Sequence, residues 1–362
     1  MYFTNTFDNL SKENIDLLNT YFDSYPYESS AHTYLANYMW RKTHNISWQI
    51  IGKYLVIESY GTLETEEEEH FMSFPLTNTG NYDINELKNT IDEGKRIFES
   101  NGSELEMSLI PKSLVHYLEE IYGDKIEIEH DRDDDEYIYD RNSLESLSGR
   151  KLHQKKNHLN YFHDSFEFSY EEITSENVEE VREYIHSKNE FIFGETPEEY
   201  KEILELETEA VDEALDLISG DNEKKSESTL EVAKMAKERF LGGAIRIDGK
   251  IVAACFGEYS NLKNKDTVIV HVEKADDRIR GLYQAINNEF VKHLPESVKF
   301  LNREEDMGME NLRKTKESYH PVKMSEKYSC LKIGCFTHSP ENSLPSLPFS
   351  LPRFISTSPK KN

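Results

Sequence analysis

Apolar positions along the chain alternate in two rhythms, and the same succession of rhythms occurs twice. In the second half, residues 240–247 and 251–257 are apolar runs joined by Asp248-Gly249-Lys250, which predicts a hairpin. Residues 267–272 then alternate β-branched and other side chains as a strand does, and Leu282, Ala285, Ile286 and Phe290 fall at helical spacing. A short strand over 298–302, a helix over 309–319 stopped by Pro321, and a last strand over 328–333 complete the set. The first half repeats the order more weakly. It has a hairpin around Gly52-Lys53, a strand over 70–76, a helix over 84–99, a strand over 105–110, a helix over 112–122, and extended pieces at 125–129 and 137–139. Two copies of one supersecondary order predict an α/β (α+β) chain built as tandem domains with mixed sheets flanked by helices. The expected boundaries are 1–145, 146–335 and a Ser- and Pro-rich tail, 336–362, without fixed structure.

Candidate chemistry concentrates in the loop between the 267–272 strand and the following helix. Arg278 and Arg280 precede Gly281 and Leu282 at a helix start, where unpaired backbone N–H groups and the helix dipole favour a phosphate; the alternative is an ordinary connection with solvated arginines. Glu273 and Asp276 stand at the strand's end as groups that could accept a proton or hold an ammonium, or else pair with Lys274 or Arg278. Asn302 and Arg303 follow the next strand as candidate substrate contacts, with Asp306 either facing the same cleft or capping the next helix. The loop in the first copy, 76–82, has no Lys or Arg, so that copy reads as a non-catalytic wall. Between the copies, residues 150–162 read as an amphipathic basic helix: Leu152, Leu159 and Phe162 share one side, while Arg150, Lys151, Lys155 and Lys156 offer contacts to phosphates of tRNA or a lipid headgroup, or else form a solvated face neutralised by acidic neighbours. Residues 174–218 are acidic and helical, with starts at Ser175 and Thr196-Pro197, and 220–228 is a polar connector.

The hairpin, strand, glycine loop and helix resemble the GNAT (acyl-CoA N-acyltransferase) fold, whose equivalent loop holds the pyrophosphate of an acyl donor. A narrower resemblance lies in residues 308–321, with His271-Val272-Glu273-Lys274-Ala275 and Gly281-Leu282-Tyr283. These are similar to the C-terminal domain family of phosphatidylglycerol lysyltransferases, over about residues 145–333. The resemblance implies two tandem GNAT-like domains. It also implies transfer of an aminoacyl or acyl group to an amine or hydroxyl, the acceptor being a small molecule, a peptide or a lipid headgroup. It adds Lys316 and Tyr319 as contacts to the reacting ester or its phosphate; from the residues alone, Lys316 is a surface lysine and Tyr319 a core residue. Ser318 stands where the family has a second lysine, and no Trp follows Pro321. The donor would be an aminoacyl-tRNA or an acyl-CoA that comes and goes, with no permanently bound cofactor. A catalytically silent binding module on the same fold is the reading from another class.

Charge narrows the partners. With 69 acidic against 42 basic residues, a net −27, the whole chain repels polyanions, so tRNA would need the local basic patch. No apolar run is long enough to span a membrane and no secretory pattern is present, which predicts a cytoplasmic protein. Cys255, Cys330 and Cys335 are too few for a disulfide framework, and no Cys/His grouping has metal-ligand spacing. The acidic runs at 66–69 and 131–136 read as solvated surface. Accordingly Mg²⁺, Ca²⁺ or Zn²⁺ should raise the melting temperature no more than an inert salt of equal ionic strength does. A saturable, metal-specific shift in a thermal melt would contradict this.

Overall fold

The computed structural model describes residues 7–27, 29–61, 69–100, 102–195, 201–219 and 238–333. Among these, the strands are β1 (Asp8–Asn9), β2 (Ser47–Ile51), β3 (Tyr54–Gly61), β4 (Glu69–Ser73), β5 (Glu106–Pro111), β6 (Ile126–His130), β7 (Glu136–Asp140), β8 (Ser169–Glu172), β9 (Phe240–Ile247), β10 (Lys250–Tyr259), β11 (Thr267–Ala275), β12 (Phe300–Asn302), β13 (Lys323–Ser325) and β14 (Lys327–Ile333). The helices are α1 (Ile15–Phe22), α2 (Tyr34–Trp40), α3 (Ile84–Ser100), α4 (Lys112–Tyr122), α5 (Arg141–Ser146), α6 (His153–Ser165), α7 (Val178–Glu195), α8 (Lys201–Ser219), α9 (Leu282–His293) and α10 (Glu310–Glu317). The expected helix start at Thr196, the connector 220–228 and the tail beyond 335 lie outside the described residues.

The strands form two mixed sheets of the same design, ordered β1-β2-β3-β4-β5-β14-β6 and β8-β9-β10-β11-β12-β7-β13. In each, an antiparallel meander leads into one parallel pair: β4 with β5 in the first, β11 with β12 in the second. A parallel pair needs a crossover, supplied by α3 and α9 respectively, which is the GNAT-like order. The chain accordingly divides into two compact units, the described residues of Met1–Asp135 with those of Ser325–Leu351, and Glu136–Met324.

Two elements sit in the opposite unit from the one the repeat predicts. Residues 137–139, expected to close the first copy, lie in β7 and pair with β12, Leu301 facing Tyr139. The last strand, expected in the second copy, is β14 and pairs with β5 and β6 of the first unit. The break therefore falls at 135/136 rather than 145/146, and residues beyond 324 leave the second unit. Hydrophobic alternation specifies that a strand exists but not which edge it joins, because an alternating strand fits equivalent places in two sheets of one design.

The second unit's core lies between its sheet and helices α5, α6 and α9. Tyr139, Leu159, Phe162, Val268, Leu282, Ile286 and Phe290 pack in one cluster. The β9–β10 turn has the expected Asp-Gly form, with φ of +50° at Asp248 and +76° at Gly249. In the first unit the loop after β4 knits to itself, Thr77 Oγ1 donating to the Asn81 carbonyl at 3.0 Å. Beside it Tyr82 stacks on Tyr54 at 5.7 Å, with Phe74 at 5.5 Å and Tyr117 at 4.9 Å.

The pairing of β10 with β11 is irregular at one point. Phe256 faces Val272 and Gly257 faces Val270, so His271 is an extra residue bulged from the ladder. Gly257 permits this because a Cβ there would lie 1.8 Å from the Ile269 carbonyl oxygen. Gly257→Ala should therefore lower stability by about 1–3 kcal/mol through overpacking. Urea unfolding would show this as a lower midpoint, and an unchanged midpoint would mean that the bulge relaxes freely.

Candidate active site

Past Ile269 and Asn302 the parallel strands β11 and β12 no longer pair. β11 runs on to Ala275, while the chain after Asn302 turns aside through a left-handed residue, Glu304, at φ +58°. The cleft that opens has a volume of about 920 Å³. Ligand sites in α/β folds commonly sit at such carboxyl ends of parallel strands.

β11 contributes His271 and Glu273, which are two apart and share a face. Glu273 holds the Arg303 guanidinium, both carboxylate oxygens lying 3.1 Å from Nη2, and accepts from Asn287 Nδ2 at 3.1 Å. Lys274 points the other way, into a buried pair with Glu207 at 2.6 Å. Tyr319 brings its ring within 5.0 Å of the Arg303 guanidinium, and burial raises the phenol's pKa. From α6, Lys155 Nζ stands 4.4 Å over the same ring and makes no ion pair among the described residues. Burial, then the Arg303 charge, lowers Lys155 to about 8. Nearer the surface, Arg280 lies 4.5 Å over the Tyr161 ring and donates to His158 Nδ1 at 3.5 Å. Burial, then Arg280 and Lys155, lowers the pKa of His158.

Gly281 joins these pieces. It caps α9 with φ +88°, and a Cβ there would come 2.2 Å from the His158 carbonyl oxygen. Only glycine allows α6 so close, and that approach carries Lys155 into the cleft.

Several expected site residues have other duties. Arg278 is turned onto Asp276, donating from Nε at 2.8 Å and Nη2 at 2.6 Å, which lowers the Asp276 pKa. Leu282 is core. Asn302 is buried, donating to Glu136 and accepting from the Glu304 amide at 2.8 Å, so it shapes the turn. Asp306 does not cap α10, whose N-cap is Met309; it accepts from Arg313 at 2.7 and 2.9 Å and from the Gly308 amide at 3.0 Å. Lys316 is buried rather than superficial, its ammonium donating to the carbonyls of Arg303 at 2.7 Å, Glu304 at 3.2 Å and Glu305. Three acceptors require an ammonium, against a burial that lowers the pKa to about 8. Arg150, Lys151 and Lys156 are exposed, the first two in a 3₁₀ turn before α6, and Lys156 donates to the Ser146 carbonyl at 3.3 Å.

Below the cleft runs a charge chain that sequence reasoning missed. His271 Nδ1 lies 2.7 Å from Glu304 and Nε2 3.1 Å from Glu258, whose other oxygen is 3.4 Å from Arg239. Period-two alternation could have placed His271 beside Glu273, but its carboxylate partners are 13 and 33 residues away and carry no local signal.

Two mixed sheets of GNAT-like order, with a polar cleft at the splayed parallel pair of the second, place the chain in the class of acyltransferase-like folds. The sequence belongs to the phosphatidylglycerol lysyltransferase C-terminal family, whose profile matches residues 22–187 and 192–331. The match extends well upstream of the expected 145, into the first unit. A conserved protein of unknown function from Bacteroides thetaiotaomicron is 27% identical, with a TM-score of 0.75 over 90% of this chain and 99% of that one. The C-terminal domain of a putative lysylphosphatidylglycerol synthetase from Agrobacterium fabrum is 13% identical (TM-score 0.56, 89% and 93% covered). FemX is 9% identical (TM-score 0.51, 90% and 96% covered), so these two share the fold. No curated protein matches the sequence. Among the described residues, no helix is long and apolar enough to cross a membrane.

The His271 chain has a pH signature. Burial opposes its charge, but Glu304 and Glu258 outweigh burial and raise the imidazole to about 9 from an unfolded value near 6.5. The stabilisation is thus complete below pH 6.5 and lost as pH rises through about 9, a change on the order of 3 kcal/mol. Urea unfolding of wild type and His271→Asn at pH 6, 8 and 9.5 should show their difference shrinking across that window. A constant difference would mean that His271 is not an imidazolium.

Proposed function

We propose that this chain is an aminoacyl- or acyltransferase, with an aminoacyl-tRNA as donor and an amine or hydroxyl as acceptor. The observation that carries the proposal is the composition of the splayed-strand cleft. A fixed Glu273–Arg303 pair at its floor, the Tyr319 ring with the Lys155 amine over it, and the Arg280 cation beside the α9 N-terminus, there to meet the phosphate, suit a phosphate-bearing ester. In this reading Arg280 and the Gly281 end of α9 meet a donor phosphate, and Arg303 and Tyr319 orient the ester. Glu273, held by Arg303, acts through that pair rather than as a free base. Asp276, Asp306, Asn302 and Lys316 shape the walls. A cleft of this size also speaks for a ligand over a silent module closed by packing.

What supports tRNA over CoA in this reading is charge. A CoA pyrophosphate would rely on Arg278, Arg280 and Gly281, yet Arg278 is held by Asp276, and Asp277 of the same loop pairs with Lys188 at 2.7 Å. That loop is close to neutral. The exposed Arg150, Lys151 and Lys156 adjoin the helix that sends Lys155 inward, and give tRNA phosphates a track leading to the cleft. The acceptor is a small molecule, a peptide or a lipid headgroup, and the reaction would take place in the cytoplasm, where charged tRNA is found.

The test compares two arginines of one loop. Arg280→Ala should weaken aminoacyl-tRNA binding by roughly ten- to a hundredfold, the value of one charge-assisted hydrogen bond, whereas Arg278→Ala should change it less than about threefold. Calorimetry with mixed charged tRNAs and with acetyl-CoA would read both. Acetyl-CoA binding without tRNA binding would shift the reading to an acyl-CoA enzyme, and binding of neither would end it.

A further inference from the structure

Acyl transfer needs a group that removes a proton from the acceptor, and most titratable side chains lining this cleft are already committed. Glu273 is held by Arg303 and Asn287. His271 lies between two carboxylates, with both ring nitrogens engaged. Lys316 gives its protons to three carbonyls, and Asp277 is paired with Lys188. Lys155 differs. Its amine enters from α6 over the Tyr319 ring, with Glu273 on β11, Arg303 after β12, and Arg280 and His158 toward the mouth as the charged or titratable groups around it. No carboxylate pairs with it among the described residues, and the close Gly281–His158 contact fixes its helix.

We propose that Lys155 is the proton-transfer group of the cleft, a role that rests on the transferase reading above. Its free amine takes the proton from the acceptor's nitrogen or oxygen as that atom bonds to the donor's ester carbonyl carbon. The ester C–O bond then breaks, and the Lys155 ammonium returns the proton to the departing ribose oxygen. The lowering of Lys155 to about 8 fits this task, since a base works best near the ambient pH. By sequence alone Lys155 groups with Lys151 and Lys156 as a contact to nucleic acid. Only the fold separates it from them, by turning it inward.

The first arm of the test needs no substrate. The full chain is acetylated with N-hydroxysuccinimidyl acetate across pH 6–11, and the rate at each lysine is read by peptide mass spectrometry. The midpoint for Lys155 is expected near 8. Burial of the amine slows the plateau rate but leaves the midpoint in place. Glu273→Gln should move the midpoint lower still, because it removes a negative charge that favours the ammonium. The second arm is transfer from mixed aminoacyl-tRNA. Lys155→Met should lower the rate at least a hundredfold while donor affinity stays within about threefold. Lys155→Arg should restore nothing, since it keeps the charge but cannot accept a proton. A midpoint above 10 for Lys155, or an active Lys155→Arg, would overturn the role and leave the transferase reading in place. A wild type inert toward both aminoacyl-tRNA and acyl-CoA would end the transferase reading and the role together, even with the labelling midpoint near 8.

Discussion

The cleft exists because two parallel strands stop pairing, and backbone groups released in this way must find other partners before the gap is stable. Between β11 and β12 the change comes at Ile269 and Asn302. On the β12 side every replacement is specific. Asn302 Oδ1 takes the Glu304 amide, Arg303 N donates to the Tyr137 carbonyl, Tyr137 N donates to the Glu304 carbonyl, and Lys316 ties down the three carbonyls from 303 to 305. The β11 side is opened by the His271 bulge, which the missing Cβ of Gly257 admits. Residues that a motif reading would count as chemical, Lys316 and Asn302 among them, thus hold the cleft open. The groups lining it include the Glu273–Arg303 pair, Tyr319, Lys155 and, at the mouth, Arg280 and His158.

Strand exchange makes each sheet depend on the other half of the chain. β7 supplies the Tyr137 backbone that satisfies the turn after β12, although it follows directly on the first unit in sequence. β14 fills the matching place between β5 and β6. A cut at the repeat boundary suggested by the sequence would remove β7 from the second sheet and leave those turn groups unpaired, so the second half alone is a poor unit for dissection. The two matching ends of the parallel pairs have diverged in content. In the first unit Tyr54, Phe74, Tyr82 and Tyr117 pack together beside a loop without cations, whereas the second is polar and open.

Electrostatics separates the site from the rest of the molecule. A chain of net charge −27 repels anions at long range, but over distances beyond about 8–10 Å that repulsion is screened by salt, while cations inside a cleft act at contact range. Pairing within the cleft then decides which of them are available. Arg278 and Arg303 have carboxylate partners, and Lys155 and Arg280 face aromatic rings instead. A ring stabilises a cation without neutralising it, so Arg280 remains able to meet an incoming anion.

The sequence by itself determined the tandem order of elements, the GNAT-like class, the family and a stretch of chain around Gly281 that lines the cleft. These depend on local periodicity, on turn residues and on a glycine at a helix start, all of which act over a few neighbouring residues. It also grouped four cations at 150–156 without distinguishing them, and gave Arg278 and Arg280 equal standing. Only the tertiary structure decided that Lys155 alone of the four enters the cleft, that Arg278 belongs to Asp276, that Lys316 is buried against carbonyls, and that β7 and β14 change places. The physical reason is that pairing, burial and strand partnership are set by groups distant in sequence, such as Glu304 for His271 at 33 residues, and no local pattern encodes which of several chemically equivalent partners a side chain will meet.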